Sequence, residues 1–187
     1  MKISRFLTIS LVIVAFVIGI GSGYVIAPEY SMASYEAKQM VDLGKADKYV
    51  DLRYINAMIA HHGGAMVLAE QAKEKSKRPE IKKLAEDILT GEPKAIAELY
   101  QWKKDWYRDI RKVRDKAVPN LGEYDENFDL RFLNALIAHH EEGIIMAKEI
   151  KLKSSRAEVL NNADAVIESL NGGLLMLKEW RTEWYVK

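Results

Sequence analysis

The sequence predicts an all-α protein: an antiparallel four-helix bundle built from two tandem helical-hairpin repeats, preceded by an N-terminal transmembrane helix. Three observations carry that expectation. Residues 51–107 and 129–185 align without a gap, from Asp51-Leu52-Arg53-Tyr54 against Asp129-Leu130-Arg131-Phe132 to Trp102, Trp106 and Tyr107 against Trp180, Trp184 and Tyr185. Within each copy the apolar residues recur at three- and four-residue intervals, the period of a helix with one buried face. Ahead of both copies, Lys2 and Arg5 precede an uncharged, mostly apolar run from Phe6 to Ala27.

As a helix that run would span roughly 33 Å, against a hydrocarbon thickness near 30 Å. It is longer than the roughly 7–15 apolar residues of a signal peptide. Residues 1–28 are therefore read as a membrane anchor or signal segment. The basic residues before it place the N terminus in the cytoplasm and the remaining domain outside, periplasmic or extracellular. Gly21-Ser22-Gly23 offers a small-residue cleavage site, and cleavage there would make the domain secreted.

Residues 29–50, after Pro28, read as a tether or short helix. The first repeat occupies 51–116: a helix from Asp51 to about Lys75, a turn at Ser76 to Pro79, and a second helix opening on Pro79, where proline suits a first turn. That helix is expected to continue to about Lys116, with a kink or a break at Gly91-Glu92-Pro93. Residues 117–125 form the linker, marked by Val118-Pro119-Asn120-Leu121-Gly122. The second repeat, 126–187, follows the same plan, with a helix to about Lys153, a turn at Ser154-Ser155 and a last helix from Arg156. Gly172-Gly173 falls beside the weak point of the first copy. One hairpin leaves its apolar stripe uncovered, and two together close a bundle. Trp102, Trp106, Trp180 and Trp184 are expected to pack at one end of it as core.

Several functions are excluded by composition. The charges nearly cancel, at +1, with acids and bases interspersed, so no basic stripe points to nucleic acid. The absence of cysteine removes thiolate metal sites and thiol catalysis. No nucleophile is placed beside a histidine, and the His-Glu-x-x-His spacing of zinc hydrolases is missing. Residues 58, 59, 136 and 137 are apolar where a di-iron bundle needs a glutamate three residues before each histidine. A non-enzyme is expected.

What remains is the histidines. All four lie in two pairs at equivalent places, His61-His62 and His139-His140. Adjacent helical residues point about 100° apart, so each pair reads as one inward and one outward imidazole. Along Ile59-His62-Met66 and Ile137-His140-Ile144, His62 and His140 are expected to face inward, with His61 and His139 toward a flank or solvent. Met58 and Met66 bracket His62. In the second copy Leu136 and Ile144 replace them, and Met146 follows His139 by seven residues with Glu142 between. Imidazole with thioether is a soft donor set that favours Cu(I), or Ag(I). The candidate metal ligands are thus an inner set of Met58, His62, Met66 and His140 and a second, more exposed set of His61, His139 and Met146. The plainer reading has core histidines hydrogen-bonded to each other, to Asn56, to Asn134 or to water, with methionine as packing.

Ile59-Ala60-His61-His62-Gly63-Gly64-Ala65 and Ile137-Ala138-His139-His140-Glu141-Glu142-Gly143, each copy closing on Trp-x-x-x-Trp-Tyr, resemble the bacterial family known as domain of unknown function 305. The resemblance covers nearly all of residues 51–185. It implies a ferritin-like four-helix bundle, exported or membrane-tethered, some members of which are implicated in binding copper through His and Met, with silver a further candidate. His61, His62, His139 and His140 match the family's His-His positions. Met58 matches a Met before them, and Met146 a Met six residues after the second His. Leu68, Leu136, Leu99 and Leu177 stand where the family often carries Met, which weakens the copper case and leaves the fold untouched.

Residues and resemblance together lead to a membrane-tethered, extracytoplasmic metal-binding protein, with copper as the ion, acting in storage, delivery or tolerance. Its expected partners are the metal ion and, through the N-terminal helix, the membrane. The alternative is a non-catalytic cell-envelope interaction module whose histidines are structural or pH-sensitive.

Overall fold

A computed structural model describes residues 42–186. Four helices make up the fold among the described residues: α1 (Val50–Lys75), α2 (Pro79–Tyr107), α3 (Phe128–Lys151) and α4 (Ala157–Tyr185). The expected membrane segment, Phe6–Ala27, lies outside the described residues. No described helix is long and apolar enough to cross a membrane.

Local chemistry sets the helix ends. Asp51, Glu80, Asp129 and Glu158 each place an acid in a first turn, where the helix dipole favours it. The two hairpin turns use the same device: the Ser76 hydroxyl accepts from the Arg78 amide and the Ser154 hydroxyl from the Arg156 amide, each at 3.1 Å. These tight turns make α1/α2 and α3/α4 antiparallel hairpins, and α1 also packs against α3. Of the kink or break expected at Gly91-Glu92-Pro93, the break does not occur: α2 runs unbroken through Pro93. Nor does α2 reach Lys116. It stops at Tyr107, where Arg108 adopts a left-handed conformation (φ 53°) and the amides of Arg108 and Asp109 close on the carbonyls of Lys104 and Lys103.

The core divides into two clusters of matching composition. One joins Tyr54, Met58 and Ile59 of α1 to Leu99 of α2, Met146 and Ile150 of α3, and Val159 of α4. The other joins Leu68 and Ala72 of α1 to Ile81 of α2, Phe132, Leu136 and Ile137 of α3, and Leu177 of α4. Every one of these side chains has its repeat equivalent in the opposite cluster: Tyr54 with Phe132, Met58 with Leu136, Leu68 with Met146, Leu99 with Leu177. The first half of α1 therefore lies beside the second half of α3, and a pseudo-twofold axis passes between them.

The tryptophans follow the same symmetry, which corrects the expectation that all four gather at one end. Trp102 and Trp106 stack at 5.0 Å against the first cluster, and Trp180 and Trp184 at 5.2 Å against the second. Each pair is half-buried and capped by an arginine of the other repeat. Arg156 lies 4.1 Å over Trp106 and 3.2 Å from Asp51, while Arg78 lies 4.1 Å over Trp184 and 3.4 Å from Asp129. Antiparallel helix order carries the two C-terminal ends of α2 and α4 to opposite poles, so a single tryptophan cluster is geometrically excluded.

The repeat also begins earlier than the aligned helices. Leu43 and Gly44 before α1 correspond to Leu121 and Gly122 before α3. Arg53 Nε donates to the Leu43 carbonyl at 2.5 Å and Arg131 Nε to the Leu121 carbonyl at 2.8 Å. Lys153 and Lys75 reach the carbonyls of Gly44 and Gly122 in the same way.

Leu99 and Leu177 are both fully enclosed, so Leu99→Ala and Leu177→Ala should each destabilise by about 2–5 kcal/mol in urea unfolding. Exposed Leu175→Ala should stay within about 0.5 kcal/mol of wild type.

Candidate metal centre

Between the two clusters, at the height of the pseudo-twofold axis, lies a layer of imidazoles. His61 and His139 are 3% and 5% exposed. Their rings stack face to face with centroids 3.7 Å apart and planes at 17°. This reverses the expected orientation: His61 and His139 are the inward pair, while His62 and His140 are half-buried on the flanks. The buried seam of α1 is Tyr54-Met58-His61-Ala65-Leu68-Ala72, and that of α3 is Phe132-Leu136-His139-Gly143-Met146-Ile150. Small residues on these seams (Ala65, Ala72, Gly143) contribute little hydropathy, whereas Leu52 and Met66 at the edge contribute much. Large-residue periodicity therefore pointed one position away from the true seam.

Close approach explains how the rings fit. A Cβ at Gly143 would lie 2.8 Å from His61 Cε1 and 2.5 Å from Leu170 Cδ1, and one at Gly173 would lie 2.6 Å from His140 Nε2. Glycine thus opens the seats of His61 on α3 and of His140 on α4. His61 Nε2 is 2.9 Å from the His139 carbonyl oxygen. A carbonyl only accepts, so His61 carries its proton on Nε2 and leaves Nδ1 as its basic nitrogen. Among the described residues His139 Nε2 is buried without a hydrogen-bond partner, and His140 Nδ1 is buried with none from a side chain. Of the contacts expected on the plainer reading, the hydrogen bond between histidines is present, to the His139 carbonyl, whereas none from a histidine side chain to Asn56 or Asn134 is present among the described residues; Asn134 Oδ1 instead accepts from Arg181.

Charged groups stand on both flanks. On one, His62 Nδ1 faces Glu92 Oε2 of α2 at 2.5 Å. On the other, the linker after α2 crosses α1: the Lys116 amide donates to the Ala60 carbonyl at 2.8 Å, and its ammonium pairs with Glu142. Gly63 and Gly64 allow this crossing. A Cβ on Gly63 would collide with the Asp115 carboxylate, and one on Gly64 would lie 3.2 Å from Lys116 Cβ and Val118 Cγ1. Glu141 and Glu142 occupy the matching places in the second copy, and both are paired, with Lys178 and Lys116. Glu92 and the strap residues Asp115 and Lys116 were not singled out from sequence. Glu92 gave one faint signal, as a carboxylate where the second copy has Leu170.

The methionines are also redistributed. Met58 and Met146 are 0% and 1% exposed and belong to one cluster, although they come from different repeats. Leu136 and Leu68 hold the equivalent places in the other cluster. The asymmetry therefore divides the two halves of the core and does not divide the two copies. Met66 is half-buried and belongs to neither cluster.

Burial favours the neutral form of His61, His139 and His140. It pushes His61 and His139 well below the ordinary histidine range, with His61 lowering His139 further, and takes His140 down to about 4. Neutral imidazole is the ligating form. Among the described residues no three histidine, aspartate or glutamate side chains converge on one point that could hold an ion. A complete nitrogen and oxygen shell is thus not preformed, and the thioethers of Met58 and Met146 are buried together in the first cluster. Neutral nitrogen, an unpartnered His139 Nε2 and thioether suit a soft ion that accepts few ligands.

The bundle and its central imidazoles define the class. The chain belongs to the family described as domain of unknown function (DUF305), whose model matches residues 51–123 and 114–181. Among solved structures it is similar to CopM. The Cu(I)-bound form is 32% identical, with a TM-score of 0.65, over 72% of this chain and 97% of that one. A silver-bound form, 31% identical, gives 0.65 over the same shares, and the Cu(II)-bound form, 28% identical, gives 0.63. A DUF305 fragment from Deinococcus radiodurans, 18% identical with a TM-score of 0.57 over 73% of this chain and 97% of that one, shares the fold. No curated protein matches the sequence.

The glycine seats give a first test. Gly143→Ala should destabilise by about 1–3 kcal/mol as His61 and Leu170 are displaced. Helical Gly172, with open space around its Cβ position, should gain about 0.5–1 kcal/mol as Ala.

The neutral imidazoles give a second. An unfolded histidine titrates near 6.5, whereas His61, His139 and His140 accept protons only at lower pH. Between those limits the unfolded chain binds more protons. The contribution is therefore complete above about pH 6.5 and is lost as pH falls. The melting temperature should drop by about 5 °C or more from pH 7 to pH 5, and less steeply in a His61→Leu/His139→Leu variant. A level profile would contradict the neutral buried pair.

Proposed function

We propose that this protein binds copper as Cu(I), or silver, as cargo for storage, delivery or tolerance, without catalysing a reaction. The observation that carries the reading is the joint burial of Met58 and Met146, from different repeats, in one of the two core clusters that flank the His61–His139 stack. Packing alone would be served equally by leucine, as the opposite cluster shows with Leu68 and Leu136. His139 Nε2, buried and unpartnered, supplies a nitrogen that nothing else among the described residues uses. The Cu(I)-, Cu(II)- and silver-bound forms of CopM support the same reading by similarity.

The central ligand set in this proposal is Met58, His61, His139 and Met146, with His62, His140 and Met66 on the flanks. The ion is cargo, so the residues need only hold it away from water and exchange it. The Lys116–Glu142 strap over α1 is the element nearest to the layer from the linker side. We place the domain outside the cytoplasm, tethered by the apolar segment Phe6–Ala27. That placement rests on the sequence of the segment and on the positive residues before it.

A second reading, a pH-sensitive envelope module, is favoured by the stacked neutral imidazoles, which cannot both be charged at that separation. Melting at fixed pH separates the two. An ion bound only by the folded state at about 100 times its Kd adds about 2.7 kcal/mol. Under the pH reading, no ion moves the transition.

Anaerobic Cu(I) titration of the full-length protein, with Ag(I) as a redox-inert counterpart, should give affinity at least about tenfold higher than in a Met58→Leu/Met146→Leu variant, or about 1.4 kcal/mol. His61→Ala/His139→Ala should lose more. Equal affinities in all three proteins would refute the proposal.

A further inference from the structure

The two flanking histidines differ in a way the repeat does not require. His62 Nδ1 sits 2.5 Å from Glu92 Oε2, with side chains 14% and 23% exposed. Among the described residues His140 Nδ1 is buried with no side-chain partner, only the Leu136 carbonyl of its own helix beside it, and the position equivalent to Glu92 is Leu170. Two lone pairs cannot be held at 2.5 Å in a half-buried setting, so the contact holds a proton, and in a neutral imidazole that proton is the one on Nδ1, which leaves the free pair on Nε2.

We infer that Glu92 is a positioning residue: it fixes His62 with Nε2 presented to a metal ion, and makes the first-copy flank a harder, divalent-tolerant ligand that its equivalent His140 is not. The inference rests on the metal-binding reading above and adds to it a division of labour. A carboxylate behind an imidazole orients the ring and raises its basicity, which helps most with borderline divalent ions such as Zn(II) and Cu(II). A soft monovalent ion drawn to thioether gains less. Among the described residues no carboxylate pairs directly with His140, whose ring packs against Gly173 and which Glu92 reaches only at longer range. The centre then has a soft interior bordered by Met58 and Met146, and one harder flank at His62.

The test uses the full-length protein labelled with nitrogen-15 in histidine, at mildly alkaline pH where imidazoles are neutral. In wild type, His62 should be the Nδ1–H tautomer. Glu92→Leu, which copies the second repeat, should release His62 toward a mixture with the Nε2–H form. It should weaken Zn(II) binding about tenfold or more, with Ag(I) affinity changing by less than about threefold. Glu92→Gln keeps an acceptor and should preserve the tautomer while recovering part of the Zn(II) affinity. Leu170→Glu should give His140 the Nδ1–H form and strengthen Zn(II) binding, which guards against a Glu92 variant that merely folds poorly. A His62 proton on Nε2 in wild type, or a tautomer and Zn(II) affinity unmoved by Glu92→Leu, would overturn the inference. If wild type binds neither ion, the metal-binding reading fails and the divalent preference with it; the tautomer spectra then decide the orienting role of Glu92 by themselves.

Discussion

The face-to-face contact of His61 and His139 is the constraint around which the rest of the molecule is arranged. Two polar rings are held 3.7 Å apart in an apolar core, and that is tolerable only if both stay neutral. It also requires α1 and α3 to come close at one height, which is why alanine and glycine occupy that stretch of both seams. The core cannot run continuously through such a layer. It divides into two clusters, one toward each pole, each assembled from all four helices. The glycine seats, the orphaned nitrogens and the carboxylates kept to the flanks follow from the same requirement.

Much of this was legible in the chain. The repeat and the helical period gave the number of helices, their order and the positions of both turns, because each depends on local residues and on short-range sterics. The pseudo-twofold axis followed from the repeat alone. The facing of the histidines did not. Seams built from Ala65, Ala72 and Gly143 carry little hydropathy, and burial by close backbone approach leaves no apolar signature. The distribution of the tryptophans also escaped, since which pole a residue reaches depends on the antiparallel sense of the helices that carry it. Glu92 and Lys116 meet their partners across long sequence separations, and no periodicity announces such pairs.

The methionines illustrate how a comparison of repeats can mislead. Aligned in sequence, Met58 and Met66 suggest that the first copy is the sulfur-bearing one. Folded, Met58 lies with Met146 of the second copy, and Met66 stays outside that cluster. The unit of chemistry is half of the core, which each repeat enters through a different segment. Among the described residues fully buried sulfur is confined to the first cluster, while the second has Leu68 and Leu136 in those places and a partly buried Met176 packed against it.

The arginine caps have a consequence for how such a molecule can change over time. Arg78 closes the tryptophan pair of the second repeat, and Arg156 that of the first. A lone hairpin could complete its poles only by meeting another copy of itself, and every substitution would then appear twice in the pair. Joining the two hairpins in one chain lifts that restriction. Glycine can face the linker in one copy while glutamate grips it in the other, and a carboxylate can stand behind one histidine while leucine stands behind its twin. Covalent linkage of two like halves is what permits a symmetric frame to hold an asymmetric interior.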